Sequence, residues 1–497
     1  MKITPVISIL ILVFVRCQPA AERQTNSGTA DTRPNILWIV ADDLGTDLGC
    51  YGNKTVYTPY LDQLAKEGAL YENLHTTTAV CSPSRSGLIT GMYPVSIDCH
   101  QHRTPFKQSL PEGVQPITAY FKEAGYFVSN RSFREKNKKG KTDYNFIHHF
   151  DSLYDGTHWG QRAQGQPFFS QIQISFPHRP FYNDTLNPVN PAEVLLPPYY
   201  VDHPLARKDW AMYLETIQLV DVEVGKILKD LEADGLTENT IVFFFGDQGR
   251  PHIRGKQFLY DPGTNTPLIV RRLNGEGANQ WSGQLVSNID IAAASLALAG
   301  IRIPDHIQGR NFLDKDQPDR TFLATMRDRR DETVDRIRAV RTTDFKYIRN
   351  FYPERPYTQF NAYKKYRYPM LTLMRILYKK GELDEIQSRF MSDVRPPDEL
   401  YDLKNDPYEI NNLATNPEYS QQLQSLKGQM DDWLEKYDLG EYPEDPRAIK
   451  AAEELMQGRF KRNMESIGLS PDISDEDLLN YWEKELLGST ENYVHEN

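Results

Sequence analysis

Cysteine is scarce in this chain, with only Cys17, Cys50, Cys81 and Cys99 among 497 residues. So few cysteines exclude a small fold held together by a disulfide framework. Cys50 and Cys99 could pair after export, or they could be two small, partly buried residues; the sequence leaves both alternatives open. Cys81 belongs to a motif of its own.

The chain also lacks an excess of positive charge, internal repeats and extended low-complexity segments. Its formal net charge is -11, which argues against nucleic acid as a partner; an anionic ligand would need a locally basic site. Hydrophobic residues make up 39% and aromatic residues 11%, enough for a large core. The length favours two or three structural units.

Long hydrophobic runs are missing as well. The apolar run from Val6 to Val15 is too short to span a bilayer, and a polar stretch follows it, so residues 1–20 are predicted to be a signal peptide and 21–32 a polar linker. Cys17 directly after the run favours a lipidated cysteine, although Arg16 stands where a small residue is usual. Plain export with cleavage near Ala20 is the alternative. Either way, we expect an exported protein, periplasmic or attached to the membrane by lipid only.

Strands and helices alternate over roughly the next 300 residues. Periodicity and end signals predict the following elements: strand NILWIVA, helix TPYLDQLAKEGALYEN, helix and strand in PITAYFKEAGYFVS, strand PFFSQIQISF, a helix from about Ala206 to Ala233, and strand NTIVFFFG. This alternation indicates a doubly wound α/β domain over residues 33–317. Ligands of such sheets bind outside the carboxyl ends of the strands, and Asp42, Asp43, His178 and Asp247 all follow strands.

The pattern of predicted elements changes near residue 318. RAVRTTDFKYIRNF is typical of two antiparallel strands, and SQQLQSLKGQMDDWLEKY of a helix. We therefore predict a smaller α+β domain over residues 318–444. The charged remainder, 445–497, is predicted to be a helical tail packed on the surface.

The segment CSPSRSGLITG, from Cys81 to Gly91, resembles the type I sulfatase signature Cys-x-Pro-x-Arg followed by a helix and Thr-Gly. The strand ending in Asp42-Asp43, the strand ending in Asp247-Gln248-Gly249 and the C-terminal ELYDLKNDPYEINNLA match the same family in the same order. The resemblance implies an alkaline-phosphatase-like fold and hydrolysis of sulfate esters. Such a compact anion needs a strong nucleophile and concentrated positive charge.

The resemblance further implies a modified nucleophile and a metal. Cys81 would be oxidised to formylglycine (3-oxoalanine) by a formylglycine-generating enzyme that recognises Pro83 and Arg85, and Arg85 would also brace the hydrated aldehyde. One Ca²⁺ would be bound by Asp42, Asp43, Asp247, Gln248 and the modified Cys81, since hard oxygen ligands suit this ion. Gln248 departs from the Asn or His usual in relatives.

Other functional positions of the family match this sequence less completely. Lys256 in GKQFLYDPG corresponds to a lysine that binds sulfate or the leaving group, and His178 in FPHRPF to a histidine that contacts the leaving oxygen or sulfate. The family's Gly-Lys-x-x-His motif is disturbed by an insertion, so Lys141 and Asp143 are predicted to replace its lysine and histidine. Alternatively, the insertion's basic run, Arg131 to Lys139, binds polyanionic substrate. His252 and Arg254 are predicted to line the substrate mouth.

Within the family, IQLVDVEVGKILKDLEADGLTENTIVFFFGDQG and LYDPGTNTPLIV resemble the branch of N-sulfoglucosamine sulfohydrolase and of bacterial enzymes that act on O-sulfated polysaccharides such as ulvan. We favour an exo-acting carbohydrate O-sulfatase, with the sulfohydrolase as the alternative. Two more distant alternatives are a phosphatase or phosphonate hydrolase of the same superfamily and a non-catalytic binder of sulfated glycans.

Overall fold

The computed structural model of the protein describes Met1, residues 33–440 and residues 442–488. The linker, Cys17 and nearly all of the predicted signal peptide therefore lie outside the described residues. No helix within the described part of the chain combines the length and the apolar composition needed to cross a bilayer.

A seven-stranded, mostly parallel sheet forms the centre of the larger region. Its strands are β1 (Asn35–Ala41), β2 (Ala69–His75), β3 (Phe127–Ser132), β4 (Phe168–Ile174), β5 (Thr240–Gly246), β6 (Leu268–Arg271) and β7 (Gln280–Ser287). They lie in the order β3-β4-β1-β5-β6-β2-β7. Only β6 in this sheet runs antiparallel to its neighbours. The predicted doubly wound α/β fold is confirmed.

Both faces of this sheet are covered. In β1 every residue is buried; Leu37 and Ile39 belong to one apolar cluster, and Trp38 to the cluster on the opposite face. A strand buried on both sides has no polar face, which is why NILWIVA shows no alternation. Cys50 packs against the first cluster and Cys99 lies in the second; both are free thiols, so the considered pairing does not form.

Helices connect the strands and continue to the C-terminal end of the described chain. They are α1 (Pro59–Glu67), α2 (Cys81–Thr90), α3 (Ile117–Glu123), α4 (Phe150–Leu153), α5 (Pro204–Ala233), α6 (Asp261–Thr264), α7 (Asn288–Leu298), α8 (Ala362–Arg367), α9 (Pro369–Lys380), α10 (Glu385–Arg389), α11 (Ser420–Tyr437), α12 (Pro446–Ser466) and α13 (Asp475–Gly488). The predicted long helix up to Ala233 and the predicted helix SQQLQSLKGQMDDWLEKY are confirmed.

One predicted helix was too long. TPYLDQLAKEGALYEN was predicted as a single helix, but α1 ends at Glu67 and β2 begins at Ala69. Gly68 stands between the helix and the strand, where the chain passes close to β6. A Cβ at this position would lie 2.6 Å from the backbone oxygen of Val270, so a residue without a side chain is needed there. The strand is determined by pairing with β6 and β7, which the local pattern does not contain.

A second, antiparallel sheet follows. Its strands β8 (Leu323–Arg327), β9 (Ile337–Arg341), β10 (Phe345–Asn350) and β11 (Asp398–Asp402) lie in the order β11-β10-β9-β8. The predicted antiparallel pair in RAVRTTDFKYIRNF is confirmed as β9 and β10. Both sheets belong to one compact unit that begins at Arg33. The predicted divisions at 317/318 and 444/445 fall between elements and remain predictions.

Candidate active site

Three buried carboxylates lie together where two central strands end. Asp42 and Asp43 follow β1, Asp247 follows β5, and the strands are parallel neighbours with Ala41 opposite Gly246. The Asp43 amide donates to Asp247 Oδ1 over 2.9 Å. All three side chains are almost fully buried. The carboxyl ends of parallel strands thus bring together acids 204 residues apart.

Cys81 begins α2 beside these acids and is 1% exposed. Its Sγ lies 3.5 Å from Nε2 of Gln248, and the Ser84 hydroxyl donates to the Asp247 carbonyl. Since the first backbone N–H groups of a helix have no partner within it, this position suits an anion next to the cysteine.

Buried cations neutralise the carboxylates. Arg85 donates from Nε to Asp247 Oδ2 over 2.8 Å and from a terminal nitrogen to Asp42. Lys141 Nζ lies 2.9 Å from both Asp42 oxygens, and Lys256 Nζ lies 2.8 and 2.9 Å from those of Asp43. The structure therefore brings Arg85, Lys141 and Lys256 to the site, as the sequence predicted.

The acids differ in their electrostatic balance. Burial would raise the pKa of Asp42, but Lys141 and Arg85 outweigh it and hold the pKa well below its usual value. The pKa of Asp43 is lowered in the same way, because Lys256 and His178 outweigh its burial. The pKa of Asp247 is raised well above its usual value, because burial exceeds the effect of Arg85. Additional positive charge near Asp247 would therefore stabilise its ionised form.

The donor set suits a hard cation. Asp42, Asp43 and Asp247 offer carboxylate oxygens, and Gln248 adds an amide whose buried Oε1 has no hydrogen-bond partner in the part of the chain that the structure describes. Gln248 Nε2 donates to Asp43, and rotating the amide would present Oε1 in its place. The predicted ligands therefore fit a divalent cation in chemistry and position.

His178 lies at the same rim. Its Nδ1 is 2.7 Å from the carbonyl of Arg179, while Nε2 lies 3.9 Å from Asp43 Oδ2 and 3.5 Å from the Tyr363 hydroxyl. Burial lowers its pKa to about 4, so the ring is neutral near pH 7. A neutral imidazole here can exchange hydrogen bonds with an oxygen bound between Asp43 and Tyr363.

Asp143 and Lys141 come from the disturbed motif. Asp143 forms a bidentate ion pair with Arg103, at 2.9 and 2.8 Å, and lies 3.8 Å from Lys141 Nζ. Asp143 also belongs to a group with Cys81 and His102 whose ligand atoms all lie within 4.8 Å of one another. The structure thus places Asp143 near Cys81, but both of its carboxylate oxygens accept hydrogen bonds from Arg103.

Sequence analysis missed His102. Its Nδ1 lies 2.9 Å from Asp331 Oδ1, and its buried Nε2 has no hydrogen-bond partner among the described residues. The histidine stands in CHQHRT, soon after the cysteine motif, but nothing in that spacing distinguishes it from His100. Only the approach of Asp331, 229 residues away, orients the ring toward the Cys81 side of the cavity.

A cavity of about 220 Å³ opens onto these groups. Cys81 and Lys256 lie at its buried base, and its walls include Arg330 and Tyr363. Helix α12 also contributes, through Met456, Arg459, Phe460 and Asn463. The tail predicted to pack on the surface therefore forms part of the cavity wall.

The predicted mouth residues His252 and Arg254 do not line this cavity. His252 is 1% exposed, packs 4.7 Å from the Trp210 ring and lies 3.5 Å from Asp209. Arg254 is 6% exposed, stacks 3.9 Å from the Tyr260 ring and donates to the Glu409 carbonyl. This corrects the prediction: the chain after Asp247-Gln248-Gly249 turns inward, where both side chains pack against aromatic rings and His252 lies beside Asp209.

The basic run of the insertion is not part of the cavity lining either. Arg131 and Lys136 approach Asp230, at 3.8 and 3.1 Å. Lys138 pairs with Glu135, and Lys139 with Asp151. Arg134 stacks on Phe133 and Phe176. These cations contact carboxylates or aromatic rings of the same chain. The structure therefore does not support the alternative in which this run binds a polyanionic substrate.

A cysteine at the base of a cavity, with buried cations beside it, is an arrangement that suits a compact anion and a displacement at its central atom. The fold and the site thus define a hydrolase of anionic esters.

The chain belongs to the sulfatase family. A sequence profile described as Sulfatase matches residues 34–301, and one described as N-sulphoglucosamine sulphohydrolase, C-terminal, matches residues 252–395. This confirms the resemblance stated from the motifs and indicates sulfuric ester hydrolase activity. The family generally uses formylglycine and a divalent metal.

Two relatives and one solved structure show the extent of the similarity. An ulvan-active sulfatase of Formosa agariphila is 35% identical over 81% of this chain and 75% of its own length. The human N-sulphoglucosamine sulphohydrolase is 27% identical over 82% of this chain and 91% of its own. A structure solved with its substrate D-glucosamine-2-N,6-O-disulfate gives a TM-score of 0.58 at 19% identity, covering 82% of this chain and 98% of the other. The predicted alkaline-phosphatase-like fold is confirmed.

Proposed function

We propose that this protein hydrolyses sulfate esters of a sulfated polysaccharide or its oligosaccharides, with an algal polymer such as ulvan as the favoured substrate. One observation carries the proposal: Cys81 begins a helix beside Asp42, Asp43 and Asp247 at the base of a cavity lined by cations. The 35% identity to an ulvan-active sulfatase supports the choice of polymer.

We infer that Cys81 is converted to formylglycine by a formylglycine-generating enzyme and that one Ca²⁺ is bound beside it. The hydrated aldehyde would supply the oxygen that attacks sulfur, and the cation would polarise a sulfate oxygen. Asp42, Asp43, Asp247 and Gln248 would hold the ion through oxygen atoms. Arg85, which bridges Asp42 and Asp247, fixes the relative positions of these acids.

The remaining side chains bind the anion and manage protons. Lys256 lies at the base of the cavity, where its ammonium can bind a sulfate oxygen and keep the ester against the nucleophile. Lys141 stabilises the negative charge of Asp42 from the other side. His178 faces the space between Asp43 and Tyr363 with its Nε2. In the neutral ring Nδ1–H donates to the Arg179 carbonyl, so Nε2 can accept a hydrogen bond from the leaving hydroxyl group once that group is protonated.

His102 is proposed to accept the proton whose loss releases sulfate. Its Nδ1–H donates to Asp331, so the unpartnered Nε2 presents a lone pair near Cys81. The sequence motif had suggested Asp143 for this position. Because Asp143 is held by two hydrogen bonds from Arg103, it is the weaker proton acceptor, and we assign it the positioning of Arg103.

The second candidate function is N-sulfoglucosamine sulfohydrolase activity. It is favoured by the match of residues 252–395 to the C-terminal profile of that enzyme. The two functions differ in the bond that is cut, S–O or S–N, and in the sugar. A phosphatase or phosphonate hydrolase, and a non-catalytic glycan binder, are the more distant alternatives.

A desulfation panel tests the proposal. Sulfate release is measured with ulvan, heparin, carrageenan and chondroitin oligosaccharides, with p-nitrophenyl phosphate as the phosphatase control. We expect release from ulvan oligosaccharides and none of the N-sulfate of heparin. Release of N-sulfate alone would establish the second candidate, and phosphate release alone would contradict both.

Export remains a proposal. We propose that the mature protein is periplasmic or anchored by lipid at Cys17, a residue outside the described part of the chain. Fractionation of cells that express the full chain and its Cys17→Ser variant tests this. Transfer of the variant from the membrane to the soluble fraction is expected for a lipoprotein, whereas identical soluble fractions would indicate plain export.

A further inference from the structure

The rim of the cavity carries more positive charge than one sulfate group requires. Cations at its base and side already have carboxylate partners: Lys256 binds Asp43, Arg103 binds Asp143 and Arg330 binds Asp331. Two further guanidinium groups, those of Arg367 and Arg459, line the same cavity. Among the described residues, neither has a carboxylate within 4.0 Å.

These two arginines come from packed helices. Arg367 ends α8, is half-buried and stacks 4.1 Å from the Tyr366 ring. Arg459 lies on α12, whose apolar stripe continues through Met456 and Phe460 into a shared cluster with Ala362 and Tyr366 of α8. Because this packing fixes α12 against α8, both arginines line the same cavity from neighbouring helices.

We propose that Arg367, Arg459 and Asn463 form a second anion subsite, which binds another negatively charged group of the same substrate molecule. The class of ligand is a carboxylate or a second sulfate on the sugar. Arginine suits both, since its planar fork donates two parallel hydrogen bonds to two oxygens. Asn463, half-buried on the same side of α12, adds an amide donor. The inference rests on the proposed function and specifies its substrate.

Most of the subsite lies beyond the family profiles: Arg459 and Asn463 follow the end of both matches, whereas Arg367 lies within the second match. The two matches end at residues 301 and 395, whereas α12 runs from Pro446 to Ser466. The base of the cavity therefore recognises the group that is cleaved, and α12 selects which sulfated sugars enter. In a protein of net charge -11, unpaired arginines at a cavity opening also attract anions from solution.

Binding to a protein that cannot turn over tests the subsite. In a Cys81→Ala background, isothermal titration calorimetry compares a sulfated disaccharide that carries a uronic acid with the same disaccharide after reduction of its carboxyl group. A second pair compares a disulfated with a monosulfated monosaccharide. We expect at least one charged member to bind about tenfold or more tightly than its counterpart, the discrimination typical of a paired charge.

Substitutions then locate the effect. Arg459→Gln and Arg367→Gln, each made in the Cys81→Ala background, are expected to remove most of this preference. The matched control is Arg462→Gln, which removes the same charge from an exposed position of the same helix and is expected to keep the preference. If the substitutions remove only the preference within the uronic acid pair, the subsite binds a carboxylate. If they remove only the preference for the disulfated over the monosulfated sugar, it binds a second sulfate.

The proposal is overturned if neither pair shows a preference, or if the preference survives both substitutions or falls equally with Arg462→Gln. Thermal unfolding of each variant shows whether it is folded. The outcome is separate from that of the proposed function: if the unsubstituted protein releases no sulfate while the preference depends on Arg459, the subsite stands and the hydrolase assignment fails.

Discussion

At the scale of single residues, the site depends on buried charges that neutralise one another. Asp42, Asp43 and Lys256 are each less than 5% exposed, and isolated charges so deep would be costly. Their pairing allows the proposed metal site, which is negative, and the proposed sulfate site, which is positive, to lie side by side. Removing one partner would leave an uncompensated charge, so substitutions here must separate chemistry from folding.

The first prediction concerns the nucleophile. Cys81→Ala should abolish sulfate release while leaving the Tm nearly unchanged, because alanine keeps the β-carbon and the removed thiol borders the cavity. Peptide mass spectrometry of the unsubstituted protein should show Cys81 with one oxygen in place of sulfur and two hydrogens. An unmodified thiol in fully active protein would remove formylglycine from the mechanism.

The second prediction concerns His102. His102→Gln should lower kcat by about 10²–10⁴-fold, the usual contribution of a general base, with a much smaller change in KM. Asp331→Asn should give a smaller loss, since the imidazole stays but its orientation and tautomer are less fixed. His149→Gln, at an exposed histidine, is the control. A His102→Gln enzyme with unchanged kcat would return the proton-transfer role to Asp143.

At the scale of elements, close helix packing distinguishes glycines that look alike in sequence. Gly225 lies within α5, and a Cβ there would come 2.6 Å from the Tyr60 ring on α1. Gly428 lies within α11, where a Cβ would meet nothing within 4 Å. Both positions are helical, so propensity alone favours alanine at each.

The third prediction follows from this difference. Gly225→Ala should lower the free energy of unfolding by about 1–3 kcal/mol through overpacking. Gly428→Ala should raise it by about 0.5–1 kcal/mol through helix propensity. The Tm values of both variants, measured by circular dichroism at one scan rate, should therefore move in opposite directions. A higher Tm for Gly225→Ala would show that α1 and α5 are not packed this closely.

At the scale of the whole molecule, a metal bound at the carboxyl edge of the large sheet should couple to global stability. Its proposed ligands follow two strands, β1 and β5, that pair directly. An ion bound only by the folded state stabilises it by about 2.7 kcal/mol at a free concentration one hundred times its Kd.

The fourth prediction uses this linkage. Adding Ca²⁺ to chelator-treated protein should raise the Tm and restore activity, and the Tm shift should persist in Cys81→Ala. Asp247→Asn should abolish the shift, while Asp432→Asn, at an exposed position of α11, should retain it. Mg²⁺ is expected to bind more weakly than Ca²⁺ and to give a smaller Tm shift, because it requires stricter octahedral geometry. An equal shift with Asp247→Asn would place the ion elsewhere.

The chain's local patterns were sufficient for most elements and for part of the site. The apolar runs of β1 and β5 determined both the strands and the place where Asp42, Asp43 and Asp247 would converge, because parallel strands deliver their carboxyl ends to one edge. Arg85 and Cys81 were found for a similar reason, since they stand four positions apart in one contiguous motif. By contrast, the end of α1 was missed because β2 is stabilised by distant partners.

What the sequence by itself determined is therefore what contiguous motifs carry: the candidate nucleophile Cys81, the acids at strand ends and the family. Only the tertiary structure decided that His102 meets Asp331, that α12 lines the cavity and that His252 and Arg254 turn inward. These features depend on contacts between segments tens to hundreds of residues apart. Local periodicity shows which face of an element is apolar, but packing alone selects the neighbour that covers it and the polar groups left facing a cavity.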